Sequence, residues 1–598
     1  IDMLSNQCII WFLLLTTYNY VNSASFCGSP PLETLNHTFA VHSVNTEKRN
    51  VKPQRLKFYP HFTHNFYYLQ DAYKLLELAK EAIAFWEEVL TVRYPGSEKQ
   101  LAKRYCDGAH YYTASNNSIY CRNSYCQREV MCGPVKIPEE YLAECYEEYN
   151  NQLYKYYDDG SGIPFAGYVL LVDALSTSVC VGSTAAYASS CLLDTKTDRP
   201  ILGYVNVCPG VMKATYPDDR NSRGIFIHEI GHALGFAVSN FAFMRYPDGK
   251  VRTPRDSKGK PKHKDQYGYY IPSNDTIREV RRPWKSAAGQ FHKNFYTIVT
   301  PKVKEAARKH FSCKNLEGAD LENQYQGGTI GSHWEGRIYG SEIMAGRIEI
   351  DYSVSRITLS YFDDSGWYIV DYKKAMKWEY GKQLGCNFAM KSCFEYAEIR
   401  RKEKRKFVPF CDKTNEAICR DPFSYGTCHI MRYFEKLPQE DRFFTKAPFD
   451  TQYDPAYFGG EDPFKDYCPT LVYLSGLGDD YKATSFCTHP ENIEKARRGR
   501  NLYYQTYGAN SLCIEHRNTW SYNNSVDYYT LNDYLKGSCH TYKCHEDSKT
   551  MSLYFKSATV TCTRKDQKVK FTVTDRRTTL NGTIVCPNIN RFCKFKGK

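Results

Sequence analysis

Two histidines stand four residues apart in the stretch GIFIHEIGHALGFAVSNF, residues 224–241, with a glutamate directly after the first. On an α-helix, residues four apart share one face. His228 and His232 can therefore aim their imidazoles at a single Zn2+ ion, with Glu229 beside them. Those residue types in that order suit zinc-assisted hydrolysis of a peptide bond. The ion lowers the pKa of water and polarises a carbonyl, while a carboxylate takes a proton and returns it to the leaving amine. GIFI ahead of His228 is apolar, as a buried helix requires, and Gly235 stands where that helix must stop and turn. A plain core helix would bury two histidines and a glutamate at a cost with no metal to offset it. Such a centre needs a third protein ligand. In the pattern HExxHxxGxxH it stands three residues after the glycine, and here position 238 is valine.

The elements that must position this site are legible as patterns. Residues 66–93 carry apolar residues at helical spacing with charges between, which predicts a long amphipathic helix. Residues 106–145 are cysteine-dense and irregular. GYVLLVDAL, residues 167–175, predicts a buried strand, and residues 189–210 predict strand, turn and strand around Asp198-Arg199-Pro200. A helix near residues 223–234 follows. Beyond residue 385, cysteines alternate with Gly, Pro and Asn between short strand-like runs, so that part reads as β-rich and disulfide-stapled. No internal repeat or low-complexity tract stands out. The fold class is α+β, with the cleft beside the sheet.

At 598 residues the chain is too long for one compact unit, and 42% hydrophobic content is that of a globular protein. The formal net charge is +13, but no block of like charge reads as a nucleic-acid arm. The densest basic run, KVRTPRDSKGKPKHK at residues 250–264, reads as a solvated loop; its alternative role is docking to an acidic partner surface or matrix polysaccharide. Residues 8–24, a short apolar core ending in small residues, fit a signal peptide spanning 1–24, and no later stretch is apolar enough to span a bilayer. The expected location is secreted and extracellular, or held at the cell surface. Sequons at Asn36, Asn116, Asn274, Asn523 and Asn581 agree with secretion. Of 24 cysteines, Cys8 leaves with the signal peptide, and an odd number remains. Cys27, isolated in SFCGSPP, is the expected free thiol, able to sit on the metal and silence a zymogen. The dibasic pair Lys48–Arg49 would release a pro-segment of residues 25–49. CHTYKCH, residues 539–545, looks metal-like, but in a cysteine-rich secreted chain it predicts disulfides.

Taken together, HEIGHALGF and the later GTIGSHWEGRIYGSEIMAG, residues 328–346, resemble the leishmanolysin (invadolysin) family of metzincin metallopeptidases. Residues 198–209, 299–324 and 355–372 resemble that family as well, so the likeness runs from about residue 52 onward. In the family a large insertion separates the glycine from the third histidine. The resemblance implies that His333 is the third ligand and Met344 the methionine of the turn beneath the metal. It implies an N-terminal catalytic lobe (50–237), a middle lobe (238–390) and a cysteine-rich C-terminal lobe (391–598). It also implies an extended protein or peptide substrate paired with an edge strand of the sheet. SFCGSPP resembles the inhibitory thiol segment of matrix metalloproteases. The expectation is a secreted zinc endopeptidase made as a zymogen, with one Zn2+ per chain. The rival is a secreted adhesion protein acting through its cysteine-rich lobe, its protease site vestigial.

Overall fold

The structure is a computed structural model of the chain. It describes residues 25–27, 38–39, 41–42, 52–95, 100–107, 112–113, 119–323, 331–474, 484–498, 501, 503–524, 528–530, 534–575 and 578–595. The expected signal peptide, the Lys48–Arg49 pair, Asn36 and Asn116 lie outside the described residues. Two compact units are present. The first holds the described residues up to Phe407 together with Ile430–Pro469; the second holds Val408–His429 and the residues from Thr470 onward. Residues 391–407 and 430–469 thus pack with the first unit, although they belong to the segment read from sequence as the C-terminal lobe.

The first unit is built on a seven-stranded sheet. Its strands are β1 (Ser25–Cys27), β2 (Lys57–Phe62), β3 (Gly167–Asp173), β4 (Thr184–Leu193), β5 (Pro200–Val207) and β6 (Arg347–Ile348), in the order β6-β1-β4-β5-β3-β2. Thr38–Phe39 also pairs with β4. β3 and β5 are continuous apolar runs, buried along their whole length, and they pair in parallel, as strands covered on both faces do. β4 runs antiparallel to β5, joined through a turn in which the Asp194 carboxylate accepts from the backbone N–H of Lys196 and Thr197.

Four helices of this unit position the site: α1 (Ala72–Val89), α2 (Asp218–Ala233), α3 (Pro301–Phe311) and α4 (Arg356–Asp364). The helix expected over 66–93 is shorter at both ends. Asp71 adopts a left-handed backbone (φ 58°), and Leu90–Val92 leaves the helix to pair with Tyr368–Val370 and Gln54–Arg55. The apolar face of α1 buries Leu75, Ala79, Ile83 and Trp86. The Trp86 indole donates to the Ile227 carbonyl of α2 at 3.0 Å. α2 starts five residues before the expected position, with Asp218 and Asp219 in its first turn, where acidic groups complement the helix dipole. Almost every residue from Asn221 onward is buried, so the apolar GIFI needs no amphipathic period.

The basic run 250–264 is not a plain solvated loop. It lies within three consecutive tight hairpins closed by Arg245–Val251, Arg255–Pro261 and Lys264–Tyr270.

The second unit centres on an eight-stranded sheet that includes Ser511–His516, Gly537–His545, Thr550–Phe555 and Thr578–Val585. Its core gathers Trp520, Leu512, Leu553, Val573 and Leu580. Among the described residues eleven disulfides form, four among residues 106–208 and seven among residues 313–593. CHTYKCH contributes Cys539–Cys487 and Cys544–Cys593, in line with the disulfide reading. Among the described residues Cys27 is the free cysteine, and it is buried.

Candidate metal centre

α2 must end abruptly to place its last histidine. Gly235 takes φ +113°, its N–H donates to the His232 carbonyl at 2.9 Å, and the N–H of Phe236 donates to the Gly231 carbonyl at 3.0 Å. This paired closure satisfies carbonyls that a helix end leaves open and needs a residue tolerant of positive φ. A Cβ on Gly235 would also meet the Trp367 ring at 2.7 Å. The turn swings the Phe236 carbonyl back onto His232 Nδ1, at 2.6 Å. Tyrosine hydroxyls from elsewhere in the unit donate to the next orphan carbonyls: Tyr168 to Ala233 and Tyr361 to Gly235, both at 2.5 Å.

His228, His232 and His333 come together although the last two stand 101 positions apart in the sequence. His232 Nε2 lies 2.9 Å from His228 Nε2 and 3.2 Å from His333 Nε2. Each Nδ1 is engaged on the far side of its ring: His228 with the Ile343 carbonyl (2.5 Å), His232 with the Phe236 carbonyl, and His333 with Glu322 Oε2 (2.9 Å). Because a carbonyl or carboxylate only accepts, the proton of each neutral ring sits on Nδ1, and three Nε2 lone pairs converge. Three converging lone pairs repel one another unless a cation lies among them, so the donor set fits a metal ion, and three histidines are the ligand type that zinc takes. Burial pushes the His232 and His333 pKa values down to about 3 and that of His228 well below its ordinary value, which keeps the rings neutral, the form that ligates.

Met344 packs against α2 beside His232. A Cβ on Gly231, one residue before His232, would stand 2.8 Å from the Met344 sulfur, so the missing side chain admits the methionine against α2. Glu342 pins the turn: its carboxylate accepts from Met344 N (2.7 Å), Ser355 N (3.0 Å) and Thr358 Oγ1 (2.6 Å). The Trp334 indole donates to the same Thr358 hydroxyl at 2.8 Å, and Trp334 N donates to the Met344 carbonyl at 2.8 Å. Residues 342–344 therefore support His228 through Ile343 and hold the chain beside His333. Glu335 accepts from Arg337 N at the start of a short helical turn.

Glu229 is 1% exposed, and its Oε1 has no hydrogen-bond partner among the described residues. Burial raises its pKa to about 8. Cys27 Sγ lies 3.6 Å from Glu229 Oε2, and its sulfur and the three histidine donors are all within 4.8 Å of one another. Cys27 reaches the group from β1, which pairs in parallel with the edge of β4 and antiparallel with β6. Burial, then the Glu229 charge, pushes its thiol well up.

The structure thus brings together His228, Glu229, His232, Gly235, His333, Met344 and Cys27. Asn274, Asn523 and Asn581 stand exposed on the surface. Sequence reasoning missed Glu322 and Glu342. Both lie in or beside stretches that carry the family resemblance, but nothing in their spacing marks them as partners of His333 and Met344.

Comparison with known proteins accords with this geometry. The leishmanolysin family, peptidase M8, matches residues 158–597. A leishmanolysin-like peptidase of Caenorhabditis elegans is 32% identical over 533 residues, covering 86% of this chain and 79% of the relative. The leishmanolysin-like peptidase of Drosophila melanogaster is 32% identical over 526 residues, covering 86% and 76%. Leishmanolysin of Leishmania tropica is 24% identical over 477 residues, covering 78% and 58%. With a family match over most of its length and three histidines converging beside a buried glutamate, the chain belongs to the leishmanolysin family of metallopeptidases.

Proposed function

We propose that the protein is a zinc endopeptidase of the metzincin type, holding one Zn2+ per chain on His228, His232 and His333. The convergence of three Nε2 atoms beside an unpartnered carboxylate oxygen of Glu229 carries this reading. When bound, the ion would polarise a substrate carbonyl and lower the pKa of water. Glu229 takes the proton of the attacking water and delivers it to the leaving amine. A raised pKa suits a group that must both accept and release a proton near neutrality. Met344 and the Glu342–Thr358–Trp334 bonds keep the floor of the site rigid.

The substrate lies extended in the channel between β4 and β6, its backbone completing the sheet where β1 now stands. In the latent protein residues 25–49 are a pro-segment, and Cys27 would hold the ion together with the three histidines. A thiol in that position becomes a thiolate beside a cation. Secretion and extracellular protein substrates complete the proposal; the eleven disulfides favour an oxidising compartment. The intact donor set argues against a vestigial site.

Zinc content and peptide cleavage measured on one preparation, before and after removal of the segment ahead of Asn50, test this. One zinc per chain, with cleavage that rises on removal and stops with a chelator, is the expected result. A folded chain with neither zinc nor cleavage would overturn it.

A further inference from the structure

The insertion between α2 and the third histidine repeats one device three times. RYPDGKV (245–251), RDSKGKP (255–261) and KDQYGYY (264–270) each have a basic first residue and a glycine at the fifth place. Each glycine takes positive φ, at 86°, 75° and 89°. Each turn is closed from within by an aspartate: Asp248 accepts from Lys250 N, Asp256 from Lys258 N and Lys260 N, and Asp265 from Tyr267 N and Tyr269 N, at 2.8–3.0 Å. These are fixed turns rather than a loose loop.

Arginine and lysine are sorted by the fold. Arg245 Nε and Arg255 Nη2 both donate to one oxygen of Asp198, at 2.8 and 2.9 Å, and Asp198 is buried. Arg252 is buried too, donating to the Asp364 carbonyl at 3.1 Å and stacking over Tyr246. The arginines are consumed in rooting the hairpins to the first unit. Lys258, Lys262 and Lys264 stand exposed and have no ion pair among the described residues. Lys262 and Lys264 follow a buried Pro261, which sets the direction of the backbone there. Lys250, ion-paired with Asp248 at 3.0 Å, and Lys260 flank them in sequence, and the pKa of the Lys103 ammonium is pushed down first by burial and then by the Lys260 charge. Tyr267, at the tip of the third hairpin, is 48% exposed.

What remains outward at the hairpins is three exposed lysines on fixed turns, Lys258, Lys262 and Lys264, the last lying over the Tyr270 ring at 4.7 Å, with the exposed ring of Tyr267 beside them in the third hairpin. A lysine ammonium is a hydrated point charge that meets an anionic oxygen without two-point geometry, so several together attract a polyanion without fixing its orientation. We propose that this face binds a linear sulfated polysaccharide through Lys258, Lys262 and Lys264, flanked by Lys250 and Lys260, with Tyr267 stacking on a sugar ring. Such a contact would tether the protein beside its substrates without engaging the metal centre, and it does not depend on the peptidase reading.

The test uses the full chain and heparin as the probe. Binding is measured against salt for the wild type, for the triple variant Lys258→Ser, Lys262→Ser, Lys264→Ser, and for a control triple of equal charge, Lys543→Ser, Lys565→Ser, Lys568→Ser, in the second unit. Each polyanion charge neutralised contributes about 0.7 to the slope of log K against log salt, so the hairpin triple should lose about 2 from that slope. The control should keep it, and hydrolysis of a short peptide should be equal in all three. Equal losses in both triples would reduce the effect to net charge and overturn the proposal. So would hairpin-dependent binding to phosphatidylserine vesicles with none to heparin, which would make the partner a membrane surface.

Discussion

His333 Nδ1 lies 2.9 Å from Glu322 Oε2, with Glu322 completely buried and His333 only 1% exposed. The two backbones are tied as well, Glu322 N donating to the His333 carbonyl at 2.9 Å. His228 and His232 rest on neutral carbonyls, while His333 alone rests on a carboxylate. A carboxylate behind an imidazole fixes its tautomer and raises its basicity as a ligand.

Glu322→Gln should therefore weaken zinc binding by about 10–100-fold while the chain still folds. Competition with a chelator of known affinity reads this directly, apart from activity. An unchanged zinc affinity would show that the backbone ladder alone orients His333.

Glu229→Gln should lower peptide hydrolysis by about 10²–10⁴-fold, the usual contribution of a positioned acid–base group. Zinc content and thermal stability should stay close to those of the wild type, because Glu229 is not among the three converging donors. Loss of metal in this variant would reassign Glu229 as a ligand.

Cys27→Ser should raise the activity of the full-length protein toward that of the trimmed chain. The sulfur leaves the donor group, while β1 keeps its backbone pairing with β4 and β6. If the full-length variant stays silent, strand β1 rather than the thiol blocks the channel.

Gly235→Ala should destabilise the first unit by about 1–3 kcal/mol or more, from left-handed strain plus a Cβ forced onto Trp367. Because the same turn holds the Phe236 carbonyl on His232, zinc affinity should fall alongside the melting temperature. A variant with full stability would show that the turn relaxes freely.

Acid should loosen the second unit. Ser538 Oγ bridges His516 Nε2 (2.7 Å) and His540 Nε2 (2.8 Å), with Trp520 stacked on the His516 ring and Phe555 packed at a tilt against the His540 ring. Burial lowers the His540 pKa to about 3 and that of His516 well below its ordinary value. Below about pH 6.5 the unfolded chain takes up protons that the folded chain refuses. Stability is then fully present above pH 6.5 and lost as pH falls toward 3, by up to about 1.4 kcal/mol per pH unit for each histidine. Hydrogen exchange across Ser511–His516 and Gly537–His545 should quicken over that window, less so in His540→Phe. An equal acid slope in both proteins would clear this pair of the effect.

The core of the site was legible because its chemistry is local. HEIGH on an apolar helix carries its own geometry, and a glycine after a helix has one backbone reason to be there. The strands at Gly167–Asp173 and Pro200–Val207 were legible for a similar reason: a strand buried on both faces is a continuous apolar run. His333 and Met344 were reachable only through the family resemblance, since position 238 is valine and no local pattern links histidines 101 positions apart.

By itself, then, the sequence determined the residue types that can ligate, the helix that aligns two of them, and the isolation of Cys27 along the chain from the cysteines that begin at Cys106. The tertiary structure decided what stands behind the three converging histidines, namely Glu322 and the carbonyls of Ile343 and Phe236, and that Glu342 holds the backbone N–H of Met344. It also decided that Arg245 and Arg255 turn inward to Asp198, leaving lysines on the surface. The physical reason is one of range. Helix and strand periodicity express contacts within a few residues, whereas a hydrogen bond between distant segments depends on packing that no single stretch encodes.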